Sequence, residues 1–243
     1  MNVSKFLYEE SLVWTLTTNG YKFFTLNLYE SLKRAKVPWK LCIVCADKQS
    51  YRFFANESIP CILYTKAQSD SIARPLLFGT KAFQEINLVK LDCLASFAKD
   101  SSIKTCLYLD GDIVVMNDIL KDIRQRLQET PFLFQCDGHG MTCEKPCTNV
   151  CSGVIAWSSG ADKGIFSVND KAAWQEHPED QLWVNRKLRE GNAPYDTLPV
   201  SFYPNGTHSE SPPEGFYLLH YNWLVGNAKI LRMKKNGHWL IPY

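Results

Sequence analysis

The sequence predicts an α/β protein built around a mainly parallel central sheet that carries helices on both faces. Over the first 116 residues, short apolar runs alternate with stretches of helical periodicity, a pattern typical of successive β-α units. The length of 243 residues fits one large domain better than two small ones. We therefore expect a single domain, residues 1–243, with a regular half at 1–116 and a mixed half at 117–243.

The first half gives the clearest elements. The run SLVWTLTT predicts a strand that ends at Asn19-Gly20, and the next helix spaces Phe24, Leu28 and Leu32 along one face. In order, the pattern predicts strands at 11–18, 39–46, 60–65 and 105–110, and helices at 21–36, 48–58 and 81–99, with a polar loop at 66–79. In the second half it predicts strands at 132–137, 153–158 and 196–204 and a helix at 179–190.

Composition excludes several function classes. A formal net charge of +2 is too small to indicate nucleic acid or an anionic membrane as the main partner. No segment has the apolar length of a membrane span, and Glu9 and Glu10 stand where a signal peptide would be apolar. Several of the nine cysteines lie in apolar runs, as buried free thiols do in reducing compartments. We therefore expect a soluble, cytoplasmic protein.

The stretch CLYLDGDIVV places Asp110 and Asp112 at the end of an apolar strand, with Gly111 between them. Ligands of parallel sheets collect beyond the carboxyl ends of the strands, and alternate residues of a strand point to the same side. Two converging carboxylates repel unless a cation or a shared proton relieves them. Mg²⁺ or Mn²⁺, with phosphate oxygens as further ligands, suits such a pair. The alternative is a polar turn without a ligand, since Asp is common in turns.

The same stretch fits the Asp-x-Asp motif of haloacid-dehalogenase-type phosphatases, in which the first aspartate is a nucleophile and the second a general acid. In this reading Asp110 would form an aspartyl phosphate. That motif usually opens its domain, whereas here a series of β-α units precedes it, and the downstream acidic motif that completes such a site is absent.

A lesser alternative is a zinc-binding module around residues 136–151. Four cysteines and a histidine fall within sixteen residues, enough for a tetrahedral site: Cys136, His139, Cys143, Cys147 and Cys151. Their spacing is not one of the common zinc patterns.

An ordered set of motifs extends over nearly the whole chain. These are LTTNGYKFFTLNLYESLKR, FGTKAF, LVKLDCLASF, CLYLDGDIVVMNDI, DQLWVN, FYPNG and, at the end, LLHYNWLVGNAKILRMKKNGHW. The set resembles the nucleotide-diphospho-sugar transferase family, glycosyltransferases of the GT-A (Rossmann-like) fold, and is more distantly similar to glycogenin-like transferases. The resemblance implies a nucleotide-binding half at 1–116, an acceptor-side half at 117–243 and a C-terminal segment that binds metal and diphosphate.

The resemblance also implies roles for individual residues. The metal ligands would be Asp110, Asp112 and His220, and the residues acting on the donor sugar would be Lys90, Asp137, Asp180 and Gln181. The nucleotide and its diphosphate would contact Thr17, Thr18, Asn19, Lys90, Asp110, Gly111, Asp112, Asn222, Gly226 and Lys229. Each has a plain structural alternative as well: a core histidine, a strand end, a helix cap or a solvated lysine.

One motif departs from the family pattern, because Cys151-Ser152-Gly153 stands where Asn-x-Gly is usual, with Asn149 displaced by two residues. Trp157, Trp174, Trp183, Trp223 and Trp239 are expected mostly in the core. One or two of them could stack on a sugar ring, but the sequence does not select which.

The functional expectation is a metal-dependent hexosyl- or pentosyltransferase that uses Mn²⁺ or Mg²⁺. It would move a sugar from a nucleotide donor to a hydroxyl of a glycan or glycoconjugate, with retention of anomeric configuration. A UDP-sugar is the favoured donor and a GDP-sugar the second. A neutral imidazole among the ligands favours Mn²⁺ over Mg²⁺.

Overall fold

The computed structural model describes residues 1–64, 66, 72, 79–138, 147–176 and 178–243. Most of the predicted loop 66–79 lies outside these ranges. The strands are β1 (Ser11–Thr17), β2 (Leu41–Cys45), β3 (Cys61–Leu63), β4 (Thr105–Leu109), β5 (Ile113–Val115), β6 (Phe132–Cys136), β7 (Val150–Ser158), β8 (Asp196–Thr197) and β9 (Leu218–His220). The helices are α1 (Lys22–Arg34), α2 (Lys48–Asn56), α3 (Lys81–Ala98), α4 (Leu120–Arg126), α5 (Lys171–Glu176), α6 (Asp180–Gly191) and α7 (Gly226–Lys235).

A central sheet joins both halves of the chain. Among the described residues it has seven strands in the spatial order β3-β2-β1-β4-β7-β6-β8. The strands of the first half pair in parallel, as the alternation of strands and helices predicts. Strand β7 runs antiparallel to both β4 and β6, whereas β8 is parallel to β6. The prediction of a mainly parallel sheet is confirmed.

Helices cover both faces of this sheet. On one face, apolar residues of α3 and α6 pack against β1, β2, β4 and β6 in a core that includes Trp14, Phe97 and Trp183. On the other face, α1, α2 and α4 contribute Leu28, Phe54 and Ile123 to a second core. Strand residues that alternate along β1 belong to opposite cores, since Val13 faces the second core and Trp14 the first.

A second, two-stranded sheet pairs β5 with β9 in antiparallel fashion. The sequence pattern misses both of these strands. Each is only three residues long, too short to show a period, whereas the equally short β3 lies within the longer apolar run PCILYT. Helices α4, α5 and α7 were also not predicted. None of the helices in the described ranges combines the length and the apolar content that crossing a membrane requires.

The predicted strand 196–204 is wrong beyond its first two residues. Only Asp196–Thr197 pairs with β6. Leu198 donates one more backbone hydrogen bond to Phe134, after which the amides of Phe202 and Tyr203 both bond to the carbonyl of Pro199. Proline fixes the backbone and provides no amide donor, so the chain turns there instead of extending the sheet. Strand β7, by contrast, begins three residues before the predicted start, at Val150.

Candidate functional site

Three of the predicted ligands converge at the end of β4. Nε2 of His220 lies 3.6 Å from an oxygen of Asp110 and 3.3 Å from an oxygen of Asp112. One potential ligand atom from each of the three lies within 4.8 Å of the other two. In the part of the chain that the structure describes, no other group of three such residues is found.

The pairing of β5 with β9 brings these ligands together. Ile113 pairs with His220, and the amide of Tyr221 donates to the carbonyl of Asp112 at 3.1 Å. The two aspartates lie in the turn between β4 and β5, not along one strand, and the amide of Ile113 bonds back to the carbonyl of Asp110. The expected convergence is found, but a turn and a neighbouring strand produce it.

Gln135 fixes the histidine ring, a role that the sequence analysis missed. Its side-chain amide nitrogen donates to the carbonyls of Tyr203 and Pro204. The amide oxygen is therefore placed to accept a hydrogen bond from Nδ1–H of His220, 2.8 Å away. This arrangement leaves Nε2 facing the carboxylates, as is usual for metal-binding histidines held by a second hydrogen bond. A polar residue within the otherwise apolar, buried strand FLFQC was the available signal.

Gly153 gives the histidine its room. A Cβ at this position would lie 2.1 Å from Cε1 of His220 and 2.7 Å from a carboxylate oxygen of Asp110. No side chain fits there without moving the ligands. The glycine of the Cys151-Ser152-Gly153 motif therefore has a steric reason, which the sequence analysis did not provide.

Charges beside the cluster shift its pKa values strongly. Burial alone would raise the pKa of Asp112, but Lys229 and His220 outweigh it and hold that pKa far below its usual range. Burial would lower the pKa of His220, whereas the Asp112 carboxylate and then the Cys151 sulfur raise it to about 10. Lys229 forms an ion pair with Asp112 and lies 3.1 Å from the hydroxyl of Tyr21. The positive charges of Lys229 and of protonated His220 thus balance the negative charge of Asp112.

A second lysine lies on the other side of Asp110. Nζ of Lys90 is 2.7 Å from Asp180, 3.4 Å from Asp110 and 3.4 Å from the hydroxyl of Ser152. It also sits 4.3 Å from the centre of the Tyr108 ring. Only 5% of Lys90 is exposed, which removes its alternative as a solvated surface charge. Burial lowers the pKa of Lys90, but Asp110 and Asp180 outweigh this and raise it.

Asp137 connects several other predicted residues. One carboxylate oxygen accepts hydrogen bonds from Asn222 at 3.0 Å and from the indole of Trp223 at 3.2 Å. The other accepts from Gln181 at 2.9 Å and from Asn149 at 3.4 Å. The displaced Asn149 therefore lies in the same network as the residues that the resemblance implied.

The residues predicted to contact the base and ribose, Thr17, Thr18 and Asn19, lie at the end of β1. Thr25 of α1 donates to the hydroxyl of Thr17 at 2.9 Å, and a Cβ on Gly111 would lie 2.8 Å from that same Thr25 oxygen. The end of β1 is thus adjacent to the Asp110–Asp112 turn. Thr18 is 5% exposed, and the amide of Asn19 donates to Asp47, which also caps α2. Asp47 was not identified from the sequence.

Gly226 begins α7 with a positive φ of +54°, a conformation that glycine adopts without strain. Among the described residues, and apart from its chain neighbours and its own helix backbone, no atom lies within 4 Å of a Cβ placed there, so backbone conformation explains this glycine within the protein itself. Its predicted approach to the diphosphate stays a prediction.

The cysteine cluster of the zinc alternative is only partly described, since His139 and Cys143 lie outside the described residues. The sulfurs of Cys136 and Cys147 are 3.9 Å apart. Cys151 lies elsewhere, 3.7 Å from Nδ1 of His220. The thiols of Cys42, Cys45 and Cys61 are free and buried, as expected.

Sequence comparison identifies the family. Residues 39–233 match the family model described as nucleotide-diphospho-sugar transferase. The chain belongs to this family. The prediction of a glycosyltransferase is thereby confirmed, and the matched range contains Lys90, the Asp110–Asp112 turn, His220 and Lys229. No curated protein matches the sequence.

Solved glycosyltransferases share the fold of this family member at low identity. The glycosyltransferase GlyE of Streptococcus pneumoniae TIGR4 superposes with a TM-score of 0.58 at 15% identity, over 95% of this chain and 60% of its own. The galactosyltransferase LgtC, solved with donor and acceptor sugar analogs, gives 0.59 at 12% identity, over 95% and 97%. A glycosyltransferase involved in glycosylation of the PBCV-1 major capsid gives 0.54 at 12%, over 94% and 98%. The chain therefore spans about three fifths of GlyE, and the GT-A fold is confirmed.

Proposed function

We propose that the chain is a metal-dependent glycosyltransferase that acts as a single domain and moves a sugar from a nucleotide diphosphate to an acceptor hydroxyl. The observation that carries the proposal is the convergence of Asp110, Asp112 and His220, flanked by two buried lysines, in a member of this family. Two carboxylates and an imidazole nitrogen form a donor set suited to Mn²⁺, with Mg²⁺ second. The proposed donors are a UDP-sugar first and a GDP-sugar second.

The two lysines provide positive charge where the reaction needs it. When the sugar leaves, the bond between its anomeric carbon and a diphosphate oxygen breaks, and negative charge develops on the diphosphate. Lys229 can exchange part of its ion pair with Asp112 for that charge. A bound Mn²⁺ would add further positive charge at the same place. Thr17, Thr18 and Asn19 at the end of β1 would hold the base and ribose.

The donor sugar would lie against the network of Asp137 and Gln181. Asp180 is not proposed as a nucleophile, because its carboxylate is 2.7 Å from Nζ of Lys90 and an ion pair lowers nucleophilicity. A front-face route with retention suits this arrangement. The acceptor oxygen forms the new bond to the anomeric carbon, and its proton passes to the leaving diphosphate.

Calorimetry with UDP and GDP, each with Mn²⁺ or with a chelator, tests the proposal. We expect one diphosphate to bind with Mn²⁺ and to bind far more weakly without it. Asp112→Asn and His220→Asn should each weaken this binding by about 10- to 100-fold, while Asp100→Asn, at a half-buried aspartate in the turn after α3, should leave it unchanged. Circular dichroism checks that each variant is folded.

The same measurements distinguish the phosphatase alternative. That enzyme would bind neither diphosphate, would hydrolyse a simple phosphomonoester and would lose this activity in Asp110→Asn. That combination of results would overturn the transferase. A panel of sugar nucleotides, assayed for Mn²⁺-dependent hydrolysis, then identifies the donor sugar.

A further inference from the structure

The structure distinguishes one of the seven tryptophans from the others. Trp223 is 54% exposed. Five others are at most 6% exposed, and Trp239 is partly buried against Phe24. A large aromatic side chain that stays this exposed has a reason other than filling the core.

The backbone of Trp223 has a strained conformation. Its φ is +67°, a left-handed conformation that bulky residues rarely adopt and that persists only where the surroundings enforce it. The preceding residue supplies that enforcement. The side-chain oxygen of Asn222 accepts from the amide of Gly206 at 2.7 Å, and a Cβ on Gly206 would lie 1.7 Å from the carbonyl oxygen of Asn222.

The indole is also tied to the proposed sugar site. Its Nε1 donates to Asp137 at 3.2 Å, and the other oxygen of Asp137 accepts from Gln181 at 2.9 Å. Exposure increases outward from the ligands: His220 is 2% exposed, the Asp110 side chain 31% and Trp223 54%. A donor that reaches His220 would occupy the deep part, which leaves the more exposed side, where Trp223 lies, to an acceptor.

We propose that Trp223 is the platform for the acceptor, with its indole stacked on the apolar C–H face of an acceptor pyranose. The inference rests on the proposed function and adds the residue that holds the sugar ring of the expected glycan acceptor. An indole combines an apolar face with a polar N–H, and here Asp137 fixes the N–H edge. The strained backbone of Trp223 then serves to hold its indole ring beside Asp137.

The test uses tryptophan emission in the presence of the diphosphate that binds (UDP or GDP) and Mn²⁺. Methyl α- and β-glycosides of glucose, galactose, mannose and xylose are titrated into the wild type, Trp223→Ala and the control Trp239→Phe. At least one glycoside should change the emission of the wild type and the control. In Trp223→Ala this change should disappear or need at least about tenfold more glycoside.

Two further measurements show whether Trp223 contacts the acceptor or the donor, and whether it has a structural role instead. Binding of UDP, UDP-glucose and UDP-galactose to Trp223→Ala should stay within about twofold of wild type. Trp223→Gly, which relieves the left-handed φ, should melt no lower than wild type. A structural role would instead lower its melting temperature.

The outcomes are distinct from those of the proposed function. Failure of the wild type to bind UDP or GDP contradicts the transferase itself. No glycoside response in the wild type, or an unchanged response in Trp223→Ala, overturns the role of Trp223. Weaker binding of UDP-sugars with unchanged UDP binding places the ring on the donor and also overturns it.

Discussion

His220 shows how single residues define the site. Its position depends on Gln135, which accepts from Nδ1, and on Gly153, which leaves space beside the ring. Because the pKa of His220 is about 10, the metal-free ring carries a second proton, on Nε2, at neutral pH. A cation that binds at Nε2 would have to displace this proton. Gln135 and Gly153 therefore act by positioning His220.

Gly153→Ala should therefore damage the site without removing a ligand. The added Cβ would overlap Cε1 of His220 at 2.1 Å, so the ring or the strand must move. We expect a loss of about 1–3 kcal/mol in the free energy of unfolding and about 10- to 100-fold weaker Mn²⁺-dependent binding of UDP or GDP. Urea unfolding and calorimetry measure the two effects.

Gly160→Ala is the matched control, because no atom lies within 4 Å of its added Cβ. It should change stability by less than about 0.5 kcal/mol and leave binding intact. If Gly153→Ala behaves like this control, the steric account of His220 is wrong.

At the scale of elements, one polar side chain supplements the apolar packing that holds α6 on the sheet. Asn185, 5% exposed, accepts from the amide of Val150 and donates to its carbonyl, both at 2.8 Å. This pair of bonds ties α6 to β7, and the first turn of α6 carries Asp180 and Gln181. The contact of Asn185 with Val150 thus positions Asp180 and Gln181, which lie one turn earlier on the same helix.

Asn185→Ala should cost about 2–4 kcal/mol in unfolding free energy, because it leaves a buried amide and a buried carbonyl of Val150 unpaired. Arg186→Ala, which removes exposed ion pairs from the same helix, should cost much less, because exposed ion pairs contribute little to stability. Chemical denaturation of both variants gives the comparison, and equal losses would contradict the tethering role.

Elements also show what the sequence could predict. The buried strands β1, β2 and β4 and the helices α1, α3 and α6 were predictable because each has enough residues to show its period. The strands β5 and β9 were not, since three residues carry no pattern and their pairing joins distant segments. The ordered motifs of the sequence predict four site residues: Asp110, Asp112, His220 and Lys229. Gln135 and Gly153 belong to no such motif, so sequence reasoning did not assign them a role at the site.

On the scale of the whole molecule, Asn27 joins the first helix to the last segment of the chain. It is fully buried on α1. Its side chain donates to the carbonyl of His238 at 2.9 Å and accepts from the amide of Leu240 at 2.6 Å. The segment that follows α7 is thereby held against α1, whose start carries the Tyr21 hydroxyl that contacts Lys229.

Asn27→Ala should lower the free energy of unfolding by about 1–3 kcal/mol, since it removes two part-buried hydrogen bonds of a fully buried side chain and leaves their backbone partners unpaired. Lys33→Ala on the same helix removes an exposed ion pair with Glu30 and a cation–π contact with Tyr29 and should stay within about 0.5 kcal/mol of wild type. Urea midpoints of the two variants provide the test. A small effect of Asn27→Ala would mean that the apolar contacts alone hold the segment.

The ion pair between Asp112 and Lys229 spans 117 residues, and this separation has a consequence during synthesis. At about 5–20 residues per second, the ribosome takes roughly 6 to 23 seconds to pass from one partner to the other. For nearly all of that time the aspartates of the β4–β5 turn have neither Lys229 nor His220 beside them. On the proposed function, a nascent chain with its first four strands complete would lack a complete site for the nucleotide until β9 and α7 emerge.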